Sequence, residues 1–121
     1  MSTATLVDLE TRLKDLHNFI GAGLILEAMI KFYDRNVSMQ ENLAEPVVGH
    51  AANREREEAF LASIAEFHGY DVHAIAATGD VTFVESTLRF RAASGDEVSL
   101  TQVARSRWRD GKIVEERFYH G

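Results

Sequence analysis

The sequence predicts an α+β fold in which three helices precede a mostly antiparallel sheet. Apolar residues recur at spacings of three and four through the first half of the chain, and they alternate with polar residues through the second half. Short turn motifs separate the alternating segments, and neither a repeat nor a linker interrupts the chain. With 121 residues, the chain is expected to form a single domain over residues 1–121.

A stripe of apolar residues at helical spacing predicts the first helix. The stripe comprises Leu6, Leu9, Leu13, Leu16 and Ile20. Thr5 and Asp8 suit the start of a helix, and Gly21 and Gly23 end the pattern. A second helix carries apolar residues from Leu24 to Phe32.

A third helix is predicted over residues 51–67, where a charged stretch leads into an apolar face. That face comprises Phe60, Leu61, Ile64 and Phe67, and His68-Gly69 follows it. Between the second and third helices, Asp34-Arg35-Asn36 predicts a turn and Val37–Glu41 a short strand. The loop after that strand holds Pro46, which is the only proline.

Four longer segments in the second half predict the remaining strands. They are Val72–Ala77, Val81–Arg91, Val98–Trp108 and Ile113–Tyr119. The turns between them are Thr78-Gly79-Asp80, Ser94-Gly95-Asp96 and Asp110-Gly111. Each turn is short enough for a hairpin, so these strands should pair antiparallel.

Composition excludes several classes of protein. The net charge of −6 disfavours binding to nucleic acid or to an anionic membrane surface. The absence of cysteine excludes thiol catalysis and Cys-ligated metal sites. No apolar run approaches the roughly 20 residues of a spanning helix. The first ten residues lack the features of a secretory signal, so a cytoplasmic location is expected.

Several local motifs resemble the SnoaL-like branch of the nuclear transport factor 2-like superfamily. They are Phe32-Tyr33-Asp34-Arg35-Asn36-Val37, Pro46-Val47-Val48-Gly49, Arg107-Trp108-Arg109-Asp110-Gly111-Lys112-Ile113 and Glu116-Arg117-Phe118-Tyr119. The resemblance implies a cone of helices on a curved, mostly antiparallel sheet, with a pocket inside it. It also implies a homodimer joined through the outer face of the sheet. Members of the superfamily include ketosteroid isomerase, limonene epoxide hydrolase and polyketide cyclases, so the fold does not fix the function.

The resemblance places two candidate catalytic residues in the pocket. Glu41 takes the position of the isomerase's catalytic carboxylate, where it could move a proton next to a carbonyl group. His17 takes the position of an oxyanion-hole tyrosine, and its spacing from Leu13 turns it inward, where it could donate a hydrogen bond to an enolate. The alternatives are a core histidine at position 17 and a salt-bridging or capping carboxylate at position 41.

Other positions depart from the known enzymes of the superfamily. The isomerase's second oxyanion donor, a carboxylic acid, is replaced by Ala104, so a steroid isomerase is not expected. Limonene epoxide hydrolase needs Arg and Asp on one strand and Asp on the last strand. Those positions are Ser86, Leu88 and Phe118 here, which argues against epoxide hydrolysis.

Strand alternation adds further candidates on both faces of the sheet. The side chains expected to point inward are Gln102, Ser106, Glu116, Phe118 and His120. Glu116 and His120 could form a proton-transfer pair or bind a polar ligand, or could lie solvated at the rim. The side chains expected on the outer face are Arg105, Arg107, Arg109, Glu115 and Arg117, paired across strands at a dimer interface.

The sequence therefore predicts a small-molecule site without a metal or cofactor. The histidines are scattered, and no phosphate-binding or dinucleotide motif is present. The expected ligand is a small apolar organic molecule, bound by Gln102, Glu116, Phe118 and His120 beside the catalytic pair Glu41 and His17. The activity expected is proton transfer of the isomerase or cyclase type. The alternatives are a binding domain without catalysis and a dimerisation module whose cone is filled by its own side chains.

Overall fold

The computed structural model describes residues 6–121, with side chains from Leu9 onward. The helices are α1 (Leu6–Gly21), α2 (Ile25–Phe32) and α3 (His50–Ala62). The strands are β1 (Tyr33–Glu41), β2 (Val47–Val48), β3 (Ile64–Thr78), β4 (Val81–Ala92), β5 (Glu97–Arg109) and β6 (Lys112–His120). They form one sheet in the order β2-β1-β6-β5-β4-β3. The predicted fold class, an α+β cone of three helices on a curved, mostly antiparallel sheet, is confirmed.

The core lies between the first two helices and the sheet. Leu9, Leu13 and Leu16 of α1 are at most 2% exposed, as their helical spacing predicts. Phe32 at the end of α2 is fully buried beside them in the same cluster, which also contains Val37, Trp108 and Ile113 from the sheet. Thr5, predicted at the start of the first helix, and the Leu6 side chain lie outside the described part of the chain.

The second half of the chain forms the antiparallel meander that the sequence predicts. β3 pairs with β4, β4 with β5 and β5 with β6, each in antiparallel register. The last hairpin turns at Asp110-Gly111, where both residues have positive φ values of 52° and 77°. Such values define the tight turn that matches the twist of the flanking strands.

The first strand is longer than predicted and pairs differently from the others. β1 includes Asp34-Arg35-Asn36, which the sequence predicts as a turn, and its register with β6 is irregular between Tyr33 and Ser38. The Asn36 backbone N–H donates to the Asp34 carboxylate at 2.9 Å, which is a turn-like contact within the strand. β1 runs parallel to β6 and antiparallel to the two-residue β2, which lies in the loop after Pro46.

The predicted end of the third helix is wrong. α3 ends at Ala62, and Ile64 already begins β3, so Ile64 and Phe67 lie in a strand instead of on a helix face. Ser63 closes the helix by donating its side-chain and backbone hydrogen bonds to the carbonyl of Phe60, at 2.6 and 3.0 Å. Pairing with β4 overrides the helical periodicity that continues to residue 67, because local propensity is weaker than tertiary pairing.

Asn53 fixes α3 against the strands beside it. Its side chain is fully buried, and its amide nitrogen donates to the carbonyls of Val37, Val47 and Gly49 at 3.3, 2.9 and 2.9 Å. These bonds give the buried amide nitrogen acceptors on β1, on β2 and on the residue before α3. They hold the inner face of α3, which carries Arg56 and Glu57, over the open side of the sheet.

Candidate functional site

A cavity of about 200 Å³ lies between the helices and the sheet face that they cover. Its apolar wall includes Leu16, Ile20, Met29, Phe60, Leu100 and Phe118. Its polar and ionisable side chains are His17, Tyr33, Glu41, Arg56, Glu57, Tyr70, Ser86, Gln102 and Glu116. The cone is therefore not filled by its own side chains, as a pure dimerisation module would require.

Glu116 on β6 forms the polar floor of the cavity. Its side chain is 3% exposed. The Tyr33 phenol donates a hydrogen bond of 2.5 Å to Oε1, and the Ser106 hydroxyl donates one of 2.6 Å to Oε2. Strand register brings the group together, because Glu116 lies beside Met39 of β1 and opposite Ser106 of β5. No ion pair from the described side chains reaches the carboxylate.

Burial changes the acidity of this floor. Loss of water raises the pKa of Glu116 from 4.5 to about 7, against the hydrogen bonds from Ser106 and Tyr33, which lower it. Burial also raises the pKa of Tyr33 well above 10, and the negative charge of Glu116 adds to that shift. Tyr33 therefore remains a neutral donor, while Glu116 exchanges a proton near neutral pH.

His17 and Tyr70 form a second polar pair on the wall. His17 Nδ1 and the Tyr70 hydroxyl are 2.6 Å apart, and the two rings stack with their centroids 5.8 Å apart. Burial lowers the pKa of His17 to about 4 and raises the pKa of Tyr70 to about 12. Both side chains are therefore neutral at physiological pH, and the pair offers hydrogen bonds without charge.

A charged network surrounds Glu41 at the mouth of the cavity. Glu41 is the last residue of β1, and its carboxylate contacts His120 Nε2 at 3.1 Å and Arg56 Nη1 at 3.7 Å. Arg56 also lies 3.4 Å from Glu57. Burial, followed by the charge of Glu41, raises the pKa of Glu57, and Arg56 acts in the opposite direction. The lining thus combines three carboxyl groups with one guanidinium group.

The structure separates two residues that the sequence suggested as a pair. Glu116 is bonded to Tyr33 and Ser106, whereas His120 is bonded to Glu41. The proton-transfer pair of Glu116 and His120 is therefore not formed, because His120 lies beyond the cavity wall at the rim, where β6 ends. Phe118, between them on the strand, lines the cavity.

The remaining predicted positions fall on the faces that strand alternation gives. Gln102 and Ala104 line the cavity, and Ser106 reaches it only through Glu116. Ser86 and Leu88 are also part of the wall. On the opposite face, Arg105 and Glu115 form a cross-strand ion pair of 2.9 Å. Arg107 and Arg109 are exposed on β5, and Arg117 donates to the Asn42 carbonyl at 2.8 Å.

Sequence reasoning missed four side chains of the site: Tyr33, Arg56, Glu57 and Tyr70. Glu57 belongs to a charged stretch that is typical of a solvated helix face. Its spacing of three and four from Phe60 and Leu61 places it on their apolar face, and that spacing could have revealed it. Tyr70 was hidden by the wrong helix end, since it falls after residue 67 and within β3.

A metal-ion cluster and a membrane-spanning helix are both absent from the described residues. No group of three His, Asp or Glu side chains among them is placed to hold a metal ion. None of the helices in residues 6–121 has the length and apolar character needed to cross a membrane.

Solved structures with the same fold are numerous. A protein of Mesorhizobium loti, provisionally described as a SnoaL-like polyketide cyclase, is 23% identical with a TM-score of 0.79, over 92% of this chain and 97% of that one. AclR of Streptomyces galilaeus, provisionally a hydroxylase, is 17% identical with a TM-score of 0.82, over 97% and 91% of the two chains. TerC, co-crystallised with polyporic acid, is 15% identical with a TM-score of 0.76, over 92% and 89%.

These likenesses concern the fold, since all three identities lie below 25%. No curated protein is significantly similar to the chain in sequence. The model of the SnoaL-like domain matches residues 19–116, which include α2, α3, the first five strands and residues 112–116 of the sixth. The chain therefore belongs to the SnoaL-like family, and it shares the fold of solved NTF2-like proteins.

Proposed function

We propose that this chain binds a small, largely apolar organic molecule in its cavity and transfers a proton to or from it, as an isomerase or cyclase does. The observation that carries the proposal is Glu116, a buried carboxyl group that faces the cavity and is held by two hydroxyl donors. A general acid or base works best when its pKa is near the working pH, and Glu116 meets that condition with a pKa of about 7.

The volume of the cavity limits the size of the ligand. About 200 Å³ is somewhat more than the roughly 150 Å³ of an apolar cavity that admits benzene. It is less than the roughly 300–1,000 Å³ that is usual for drug-sized ligands. A molecule of one or two small rings fits this volume, and a steroid does not.

Two carboxyl groups compete for the role of base. Glu41 is the residue that the sequence favours, but its side chain is 41% exposed and is engaged by His120 and Arg56. Glu116 is buried and lacks an ion-pair partner among the described residues. We therefore assign the proton transfer first to Glu116 and retain Glu41 as the second candidate.

His17 keeps its proposed role as a hydrogen-bond donor to the ligand. The neutral imidazole has one N–H, and the Tyr70 hydroxyl at its Nδ1 decides which nitrogen carries that hydrogen. If Tyr70 donates to Nδ1, the other nitrogen becomes the donor. Gln102 and Phe118 complete the proposed binding wall, and His120 acts on it through Glu41.

The test uses cyclohexanone, whose size suits the cavity and whose α-hydrogens exchange only after proton removal. Exchange is followed by proton NMR in heavy water near pH 8, where Glu116 is mostly ionised. We expect the protein to accelerate exchange over buffer, and Glu116→Gln to lose at least about tenfold of that acceleration. Glu115→Gln, one position along β6 on the outer face, is the matched control and should have no effect.

The same assay separates the two candidate bases. A larger loss in Glu41→Gln than in Glu116→Gln would move the base to the mouth of the cavity. If the wild-type protein gives no acceleration but binds cyclohexanone, the chain is a binding domain without catalysis. Folding of each variant is checked by circular dichroism.

We also propose a homodimer joined through the outer face of the sheet, in line with the resemblance to the superfamily. The support is the band of charged side chains on β5 and β6, in which Arg105 and Glu115 already pair across strands. Nucleic-acid and membrane binding are not proposed, since the net charge of −6 disfavours both. A cytoplasmic location stays a prediction from the sequence.

A further inference from the structure

The floor of the cavity holds an acidic group that lacks a counter-ion. Glu116 is 3% exposed, and its two described contacts are the hydroxyl groups of Tyr33 and Ser106, each of which donates to a different carboxylate oxygen. Two hydroxyl donors on two oxygens suit the ionised carboxylate, which only accepts hydrogen bonds. Buried charges in proteins are normally paired with an opposite charge.

The other charges of the lining do not neutralise Glu116, because the charge of Glu57, which raises its pKa, acts more strongly on it than the charge of Arg56, which lowers it. Arg56 is already shared between Glu41 and Glu57, at 3.7 and 3.4 Å. His17 is neutral, because burial lowers its pKa to about 4. The lining therefore carries up to three negative charges against one positive charge. An anionic ligand would add to this excess, and a cationic ligand would relieve it.

The aromatic side chains of the cavity suit the same kind of ligand. Tyr33, Phe60, Tyr70 and Phe118 all line it. The faces of aromatic rings attract cations, and the attraction is stronger where water is excluded. An apolar cavity with aromatic walls and one unpaired carboxylate on its floor has the chemistry of a site for an organic ammonium ion.

We infer that the ligand carries a protonated nitrogen that pairs with Glu116, so that the cavity selects a small organic amine over a neutral or acidic molecule of equal size. This inference rests on the binding half of the proposed function. A cation beside Glu116 also stabilises the ionised carboxylate.

Three one-ring probes of nearly equal size test the inference. Benzylamine is cationic at neutral pH, benzyl alcohol is neutral and benzoate is anionic. Dissociation constants are measured by calorimetry at pH 7.5 and near-physiological salt, which limits attraction to the overall charge of the protein. We expect benzylamine to bind at least about tenfold more tightly than benzyl alcohol, which corresponds to one ion pair of about 1.4 kcal/mol. Benzoate should be the weakest.

Glu116→Gln is the decisive variant. It should bring the dissociation constant of benzylamine close to that of benzyl alcohol and leave the dissociation constant of benzyl alcohol nearly unchanged. Glu115→Gln, on the outer face, should keep the preference. An unchanged preference in Glu116→Gln would overturn the inference, because the amine would then be held elsewhere.

The pH dependence of the wild-type protein provides a second test that needs no variant. The titratable and charged groups facing Glu116 are Tyr33, Arg56, Glu57 and Tyr70, with His17 on the far wall. Among them only Glu57 is a second carboxyl group with a raised pKa. Its ionisation as the pH rises also favours a cationic ligand. Benzylamine affinity should rise about tenfold from pH 6 to pH 8, as Glu116 loses its proton. Benzyl alcohol affinity should not rise.

The outcomes separate the two proposals. If benzyl alcohol binds as tightly as benzylamine, the cavity binds small organic molecules but does not select amines, and only this inference fails. If none of the three probes binds, the binding function fails, and the inference fails with it.

Discussion

The phenol of Tyr33 donates a buried hydrogen bond of 2.5 Å to Glu116, a residue 83 positions further along the chain. Tyr33 begins β1 directly after α2, and Glu116 lies on β6, which is paired in parallel with β1. The contact joins the helical half of the chain to the final strand at the floor of the cavity. It also lowers the pKa of a carboxyl group that burial raises.

Tyr33→Phe removes this donor and keeps the shape of the ring. We expect the pKa of Glu116 to rise above about 7, since one of the two hydrogen bonds that favour its ionised form is lost. The free energy of unfolding should fall by about 1 kcal/mol, as for other buried hydrogen bonds. Carbon-13 NMR titration of the glutamate carboxyl and urea denaturation measure the two effects. Tyr119→Phe, at an exposed tyrosine, is the control and should shift neither.

Glu116→Gln should change how stability depends on pH. The folded protein holds the Glu116 proton up to about pH 7, whereas the unfolded chain releases it near 4.5. Because the native state binds more protons between these values, the raised pKa contributes stability below pH 4.5 that is lost as the pH rises to about 7. A shift of this size amounts to about 3 kcal/mol. The unfolding free energy of Glu116→Gln relative to wild type should therefore increase from pH 5 to pH 8; a constant difference would contradict the assignment.

His17 should make the free energy of unfolding depend on pH in the opposite direction. Its pKa is about 4 in the folded protein and 6.5 as the ordinary value, so the unfolded chain binds more protons between these limits. Its contribution is present above pH 6.5 and is lost as the pH falls toward 4. His17→Gln should be less sensitive to acid than wild type in urea denaturation at pH 4 to 7. An acid sensitivity equal to that of wild type would mean that His17 is already charged in the folded state.

Replacing Arg105 and Arg107 together by Glu tests the proposed dimer. Arg105→Glu removes the ion pair with Glu115, and Arg107→Glu sets a second carboxylate directly opposite Glu115 on the outer face. We expect the double variant to form a weaker dimer than the wild-type protein. In sedimentation velocity it should dissociate at protein concentrations at which the wild-type dimer remains intact. Arg54→Glu, on α3, is the control for a change of surface charge. A dimer that resists the double change would mean that the contact uses another surface.

The meander of the second half could be predicted because its determinants are local. Asp110-Gly111 specifies a tight turn, and the alternation along β5 assigns Ala104 to one face and Arg105 to the other. The end of α3 could not be predicted in the same way. The segment from Ile64 to Phe67 fits a helix by periodicity, and only its long-range pairing with β4 makes it a strand.

The candidate site was predictable only in part, for a related reason. Alternation turns Glu116 inward, but its acidity depends on burial and on Tyr33, whose contact requires the parallel pairing of β1 with β6. Two parallel strands are connected by a long stretch of chain, so no short turn motif in the sequence predicts their pairing. Glu57 was not predicted because a carboxylate in a charged helical stretch is expected to be exposed to solvent. Its burial follows only once the surface that packs against α3 is known.

The parallel pairing of β1 with β6 also has a consequence for the order in which the molecule is made. The ribosome completes Tyr33 long before Glu116, and about two thirds of the chain separates them. Until the last strand emerges, the Tyr33 hydroxyl has no carboxylate to bond and the cavity has no floor. Contacts between residues so distant in sequence slow folding. We therefore expect the nascent chain to acquire its helices and its β3–β5 meander first, and its binding capacity only once β6 has emerged.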